Sequence, residues 1–113
     1  MVAYVVANVD VLEPEPYKGY SALVPPTVIE HGGWYVGRAR GAGDAKILEG
    51  DFEPGRFVIL GFESKEAAEG WYYSEAYQKA AEVRRKYATS AYFLIEEVPD
   101  GEGAPTREWG PFR

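Results

Sequence analysis

Cysteine is absent from the 113 residues, which excludes disulfides, thiolate nucleophiles and zinc–thiolate sites. Histidine occurs once, at position 31. A metal centre would have to be built mostly from carboxylates, so neither a metal nor a cofactor is expected. Basic residues are scarce: 12 Lys and Arg stand against 18 Asp and Glu, a net charge of −6. No stripe of positive charge offers the footprint of a nucleic-acid binder. The one tight basic cluster, Arg84, Arg85 and Lys86, falls where a helix should end and compensates its dipole. No apolar run approaches membrane-spanning length, and the first residues lack the charged start and apolar stretch of a signal peptide. A cytoplasmic protein with no nucleic-acid or membrane partner is expected. Catalytic triads, paired-carboxylate signatures and nucleophile elbows are missing too. The spaced glycines of "GRARGAGD" (37–44) lack the strand-to-helix context of a phosphate loop.

What is abundant is aromatic surface, 15% of the chain with nine tyrosines and three tryptophans, a content that argues for a folded domain. "AYVVANVDVL" (3–12) alternates as a strand, with Ala3, Val5, Ala7, Val9 and Val11 on one face. "EPEPYKGYSALVPPTVIEHGG" (13–33) reads as a helix that begins at its first prolines, is stopped or kinked at Pro25–Pro26, resumes as a short turn and ends at Gly32–Gly33. "GWYVGRA" (33–39) and "AKILEG" (45–50) predict a hairpin across a glycine-rich turn. "RFVILGF" (56–62) is apolar on both faces, as a strand covered on both sides would be. Ser64 and Ser74 are N-cap residues, which predicts two helical segments broken near Tyr73, the second with Tyr77, Ala80, Ala81 and Arg84 along its inner side. "SAYFLIEEV" (90–98) closes the domain as a strand. Residues 99–113 are a glycine- and proline-rich C-terminal extension, expected to dock through Trp109 and Phe112.

This order makes an α+β, ferredoxin-like βαββαβ sandwich with an extra hairpin strand, over residues 1–98. Two helices can cover only one face of such a sheet. Val58, Leu60 and Phe62 oppose Phe57 and Ile59, and Tyr92 and Leu94 oppose Phe93 and Ile95. The simplest cover for the second face is the same face of another copy, so a homodimer through the sheet faces is expected.

The segments "YKGYSALVPPTVIEHGGWYVGR" (17–38), "ILEGDFEPGRFVILGF" (47–62), "AAEGWYYSEAYQKAAEVR" (67–84) and "ATSAYFLIEE" (88–97) resemble the family called domain of unknown function 1330. That family belongs to the dimeric α/β-barrel superfamily, and the likeness runs from residue 3 to about residue 98. The family usually has a proline where Glu75–Ala76 stands here. The resemblance implies pairing into a dimeric α/β barrel. It implies little about chemistry, because the superfamily includes monooxygenases, isomerases, dehalogenase-like proteins and plain binding proteins.

Candidate site residues follow from residue type. His31 suits proton transfer near neutral pH, but its place before two glycines equally fits a helix C-cap. Arg38 lies in register with Trp34 and Val36 along its strand, and a charge there needs an anionic ligand or a carboxylate such as Asp10, Glu49 or Glu63. Tyr17, Tyr20, Trp71, Tyr72 and Tyr77 fall on helix faces turned toward the sheet. Such stripes usually pack a core, yet this many polar tips suit a cleft with a wet mouth, to which Asn8, Asp10, Arg38 and Ser90 would add polar groups. The sequence therefore leads to a cofactor-free enzyme or binder of a small anionic or aromatic metabolite. In that reading His31 and Arg38 are the catalytic candidates, and Tyr20, Trp71, Tyr77 and Ser90 the ligand contacts. The alternative is a non-catalytic dimeric module whose rings all serve packing.

Overall fold

A computed structural model describes residues 1–99. The elements are β1 (Ala3–Val11), α1 (Pro14–Glu30), β2 (Trp34–Ala39), β3 (Arg56–Phe62), α2 (Lys65–Tyr72), α3 (Glu75–Tyr87) and β4 (Ala88–Glu96). The strands form one antiparallel sheet in the order β2-β3-β1-β4, the βαββαβ arrangement with the helices together on one face.

α1 runs through Pro25 and Pro26 without interruption, against the expectation of a stop or kink. The two prolines lack the N–H groups that would reach the carbonyls of Ser21 and Ala22, and both of those residues are exposed, where water can serve the carbonyls. Meanwhile Tyr17, Tyr20, Val24, Thr27 and Val28 bury one face of the helix. Packing of such a face contributes more to a protein helix than propensity does. The helix ends where Gly32, at φ 73°, takes the left-handed conformation that glycine adopts without steric cost. Ser64 and Ser74 cap α2 and α3 as expected: their hydroxyls accept from the N–H groups of Ala67 at 3.0 Å and Tyr77 at 3.1 Å.

Residues 45–50 form no strand, so the extra hairpin strand is absent from the described residues. The carboxylate of Asp44 accepts from the Arg40 N–H at 2.8 Å, and the Asp44 N–H donates to the Gly41 carbonyl at 3.0 Å. Backbone groups that a hairpin would pair are spent in a local 3-10 turn, Ala42–Asp44, and β2 pairs with β3 across the longer connection. The extension anchors Trp109 and Phe112 lie outside the described residues.

The core lies between helices and sheet and joins Ala3, Val5 and Val9 of β1, Leu60 and Phe62 of β3, and Trp71, Tyr77, Ala80 and Ala81 of the helices. Among the described residues the opposite sheet face carries no helix. There the register aligns Ile59, Val6 and Phe93 in one row and Gly61, Tyr4 and Ile95 in the next, with Trp34 beyond Gly61. Phe93 is 55% exposed, Ile95 49% and Trp34 40%, an apolar surface of the kind that marks an interaction face. Trp34 lies so close on Gly61 that any added Cβ would meet its indole ring at 2.5 Å.

Candidate functional site

A β-bulge decides which side chains reach the space beneath the helices. The register with β3 pairs Tyr35 with Leu60 and Arg38 with Val58, and slips between Tyr35 and Gly37. Leu60 and Val58 face the helices, so Tyr35 and Arg38 do too, whereas Trp34, opposite Gly61, faces away. Simple alternation puts Arg38 on the face of Trp34. The extra residue, Val36, corrects that assignment, as bulges re-aim side chains at the ends of strands.

Arg38 there borders a cleft of about 280 Å³ between α1 and the sheet. Tyr17, Tyr20 and Val24 form its α1 wall; Tyr35, Arg38 and Arg40 come from the end of β2, and Arg56 and Val58 from β3. Tyr92 of β4 forms part of the floor. Arg38, Arg40 and Arg56 are exposed, and no carboxylate among the described residues lines the cleft. Among the described residues the one ion pair is Lys18 with Glu15 at 3.2 Å. Asp10, Glu49 and Glu63 therefore do not neutralise Arg38. Arg56 lies 5.4 Å from the ring centroid of Tyr17, a cation–π arrangement.

Beneath the cleft floor is a hydrogen-bonded group of phenols. The Tyr20 hydroxyl meets those of Tyr77 at 2.8 Å and Tyr92 at 2.9 Å. Arg84 of α3 is only 4% exposed; it donates through Nη1 to the Ser90 hydroxyl, and its guanidinium carbon lies 4.3 Å from the Tyr92 ring centroid. Its Nε has no partner among the described residues. Burial works against the charge of Arg84, and the phenols of Tyr92, Tyr77 and Tyr20 more than offset it, leaving the guanidinium pKa above its ordinary value. Burial, reinforced by the neighbouring phenols, pushes Tyr20 and Tyr92 far above the ordinary phenol range. Burial likewise raises Tyr17, against Arg56, and Tyr35, against Arg38. These phenols are protonated at neutral pH and act as hydrogen-bond donors, not as tyrosinate bases.

The other candidates divide. Tyr20 lines the cleft. Ser90 holds Arg84. Tyr77 is fully buried and joins the cleft only through Tyr20. Trp71 is core: its ring centroid lies 4.2 Å from that of Tyr77 and 5.5 Å from that of Phe62, and its indole N–H donates to the Thr27 hydroxyl at 3.0 Å. His31 caps α1, with Nδ1 2.9 Å from the Thr27 carbonyl, and does not line the cleft. A second hollow, about 290 Å³, lies between α2 and β4 on the other side of Tyr92. Sequence reasoning missed Arg40, Arg56 and Tyr35, which sit on turns and strand ends without periodicity. Arg84 was readable: its spacing from Tyr77, Ala80 and Ala81 puts a cation on an apolar stripe. No group of three or more His, Asp or Glu suited to a metal ion occurs among the described residues.

Solved structures share this fold at low identity. A protein of unknown function from Rhodopseudomonas palustris is 18% identical, with 87% of this chain and 83% of that chain covered at a TM-score of 0.67. A dimeric ferredoxin-like protein of unknown function from Jannaschia sp. is 10% identical, with 86% and 100% covered at 0.65. SnoaB, a cofactor-independent oxygenase from Streptomyces nogalater, is 14% identical, with 88% and 96% covered at 0.56. Likeness at these identities is one of fold. A comparison with curated proteins finds no match. The family pattern covers almost all of the described chain: over residues 2–98 this protein belongs to the domain of unknown function family DUF1330.

Proposed function

We propose that this protein binds a small aromatic anion in the cleft under α1, with Arg38, Arg40 and Arg56 as the anion-holding rim and Tyr20, Tyr35 and Tyr92 as the aromatic walls and floor. One observation carries the reading. In a chain of net charge −6, three guanidiniums border one cleft whose lining, among the described residues, contains no carboxylate. Three like charges near one volume repel one another, and a bound anion relieves that repulsion. Guanidinium also matches a carboxylate geometrically, giving paired charge-assisted hydrogen bonds. One fold neighbour is a cofactor-independent oxygenase, which is compatible with chemistry in such a cleft, but the binding reading rests on the arginine rim.

Calorimetry with salicylate and with its neutral amide tests the proposal. The anion is expected to bind at least about tenfold more tightly, the value of one charge-assisted hydrogen bond, with affinity falling as salt rises. The double substitution Arg38→Met and Arg56→Met is expected to abolish that preference while leaving the fold intact, since both side chains are exposed. Equal binding of acid and amide, or an unaffected double variant, refutes it.

The open sheet face supports a second element, a homodimer joined through Val6, Ile59, Phe93, Ile95 and Trp34. Its apolar row has no cover among the described residues, and one fold neighbour is described as dimeric. Sedimentation should give twice the chain mass, and Phe93→Asp should give a folded monomer. A monomeric parent at high concentration rules the dimer out.

A further inference from the structure

We propose that the cleft selects the ionised form of its ligand, with the ligand's charged oxygen on the hydroxyls of Tyr20 and Tyr92 and with buried Arg84 as the positive charge behind them. The inference rests on the aromatic-anion reading above and adds the atom that is recognised and its protonation state.

Proton counting points there. Tyr77, Tyr20 and Tyr92 carry three hydroxyl protons, and two oxygen–oxygen contacts join them. Each contact uses one proton, so one is left over from these two contacts, with Tyr92 also near enough to Tyr77 to compete for it. Tyr77 is fully buried and would hold the spare proton as an unmet donor, which is costly. Tyr77 therefore donates within the group, and the close contact at 2.8 Å makes Tyr20 its partner. Either Tyr20 then donates to Tyr92 and the Tyr92 proton is spare, or Tyr92 also donates to Tyr20 and the Tyr20 proton is spare. Both residues line the cleft, so the spare donor belongs to the cleft floor in either case.

Charge points the same way. Arg84 is a buried cation with an unpartnered Nε and no carboxylate within ion-pairing distance among the described residues. Such a charge is expensive unless something answers it. Serine and phenol dipoles answer it in part: Ser90 accepts from Nη1 and the Tyr92 ring lies over the guanidinium. An anionic oxygen on Tyr20 or Tyr92 would complete the compensation across one side chain. Among the described residues every other charged group facing this volume, Arg38, Arg40 and Arg56, is also positive, and the remaining titratable groups are the phenols of Tyr17 and Tyr35. A neutral ligand oxygen could accept the spare proton as well, but only an ionised one gains from all four cations.

The probe is 4-nitrophenol, whose absorption reports its own ionisation. Bound to the parent protein, its pKa is expected to fall by about one unit or more, the size of shift that an opposite charge at close range produces. In the isosteric double variant Tyr20→Phe/Tyr92→Phe, and separately in Arg84→Met, binding through the rim is expected to persist while most of that shift is lost. Circular dichroism checks that each variant is folded, and either variant suffices if the other is not. An unshifted probe in the parent, or a shift undiminished in a folded variant, overturns the floor and leaves the rim standing. Failure of the parent to bind both salicylate and 4-nitrophenolate overturns the rim, and the floor with it.

Discussion

The layer between helices and sheet has two ends, built from the same kinds of residue and left in opposite states. At one end Trp71 lies against Phe62 and Tyr77. Its N–H donates to Thr27, which donates in turn to the Val24 carbonyl at 2.7 Å. Each polar atom in that chain has its partner. At the other end Tyr20, Tyr77 and Tyr92 surround Arg84 with one hydroxyl proton to spare and an unpartnered Nε, beside an open cleft. Tyr77 belongs to both ends: its ring packs on Trp71 and its hydroxyl on Tyr20. An aromatic cluster is thus core where its hydrogen bonds close on themselves. It becomes a candidate site where they do not.

Several changes would break or sharpen this contrast. Trp71→Ala should act most strongly, costing about 3–5 kcal/mol in denaturant unfolding because it opens a cavity in the closed end; a cost near 1 kcal/mol would mean the closed end is not the stabilising one. Alkali should act next and at the open end. Tyr20 and Tyr92 hold their protons more tightly in the folded chain than at the ordinary value 10.0. Their contribution is therefore complete below about pH 10 and lost as pH rises above it, by up to about 1.4 kcal/mol per pH unit for each group. Urea midpoints at pH 9, 10 and 11 should fall, and Tyr92→Phe should flatten the fall; an unchanged slope would detach these phenols from the buried cluster. Ser74→Ala removes the cap that starts α3 between the two ends and should cost about 1 kcal/mol. Arg84→Met should change stability least, with a melting temperature equal to the parent's or higher, because it replaces an incompletely compensated buried charge with an apolar chain of similar length. A large loss would make Arg84 a structural residue of the closed kind.

The sequence carried the element order, both serine caps and the inner stripe of α3, because each is local: an alternation, a cap residue or a helical repeat. The two-sided apolarity of β3 and β4 was equally legible and corresponds to the two faces of the observed sheet. What failed was decided at longer range. Pro25 and Pro26 are helix breakers in isolation, and only the buried face of α1 and the exposure of Ser21 and Ala22 make them tolerable. The strand expected at 45–50 was lost to a side-chain cap from Asp44. The position of Arg38 was half legible: its chemistry was plain, but the bulge that turns it toward the cleft has no sequence mark. Arg40 and Arg56 join it only because the ends of β2 and β3 lie side by side.

Val36 has a consequence for how the chain can change in length. β2 carries one residue more than its pairing with β3 uses. Deleting Val36 would leave each remaining pair in place, with Tyr35 still opposite Leu60 and Arg38 still opposite Val58. The same deletion inside β1, β3 or β4 would invert every side chain beyond it. One strand of this sheet can thus be shortened by a residue without exchanging what it shows to the cleft for what it shows on the open face.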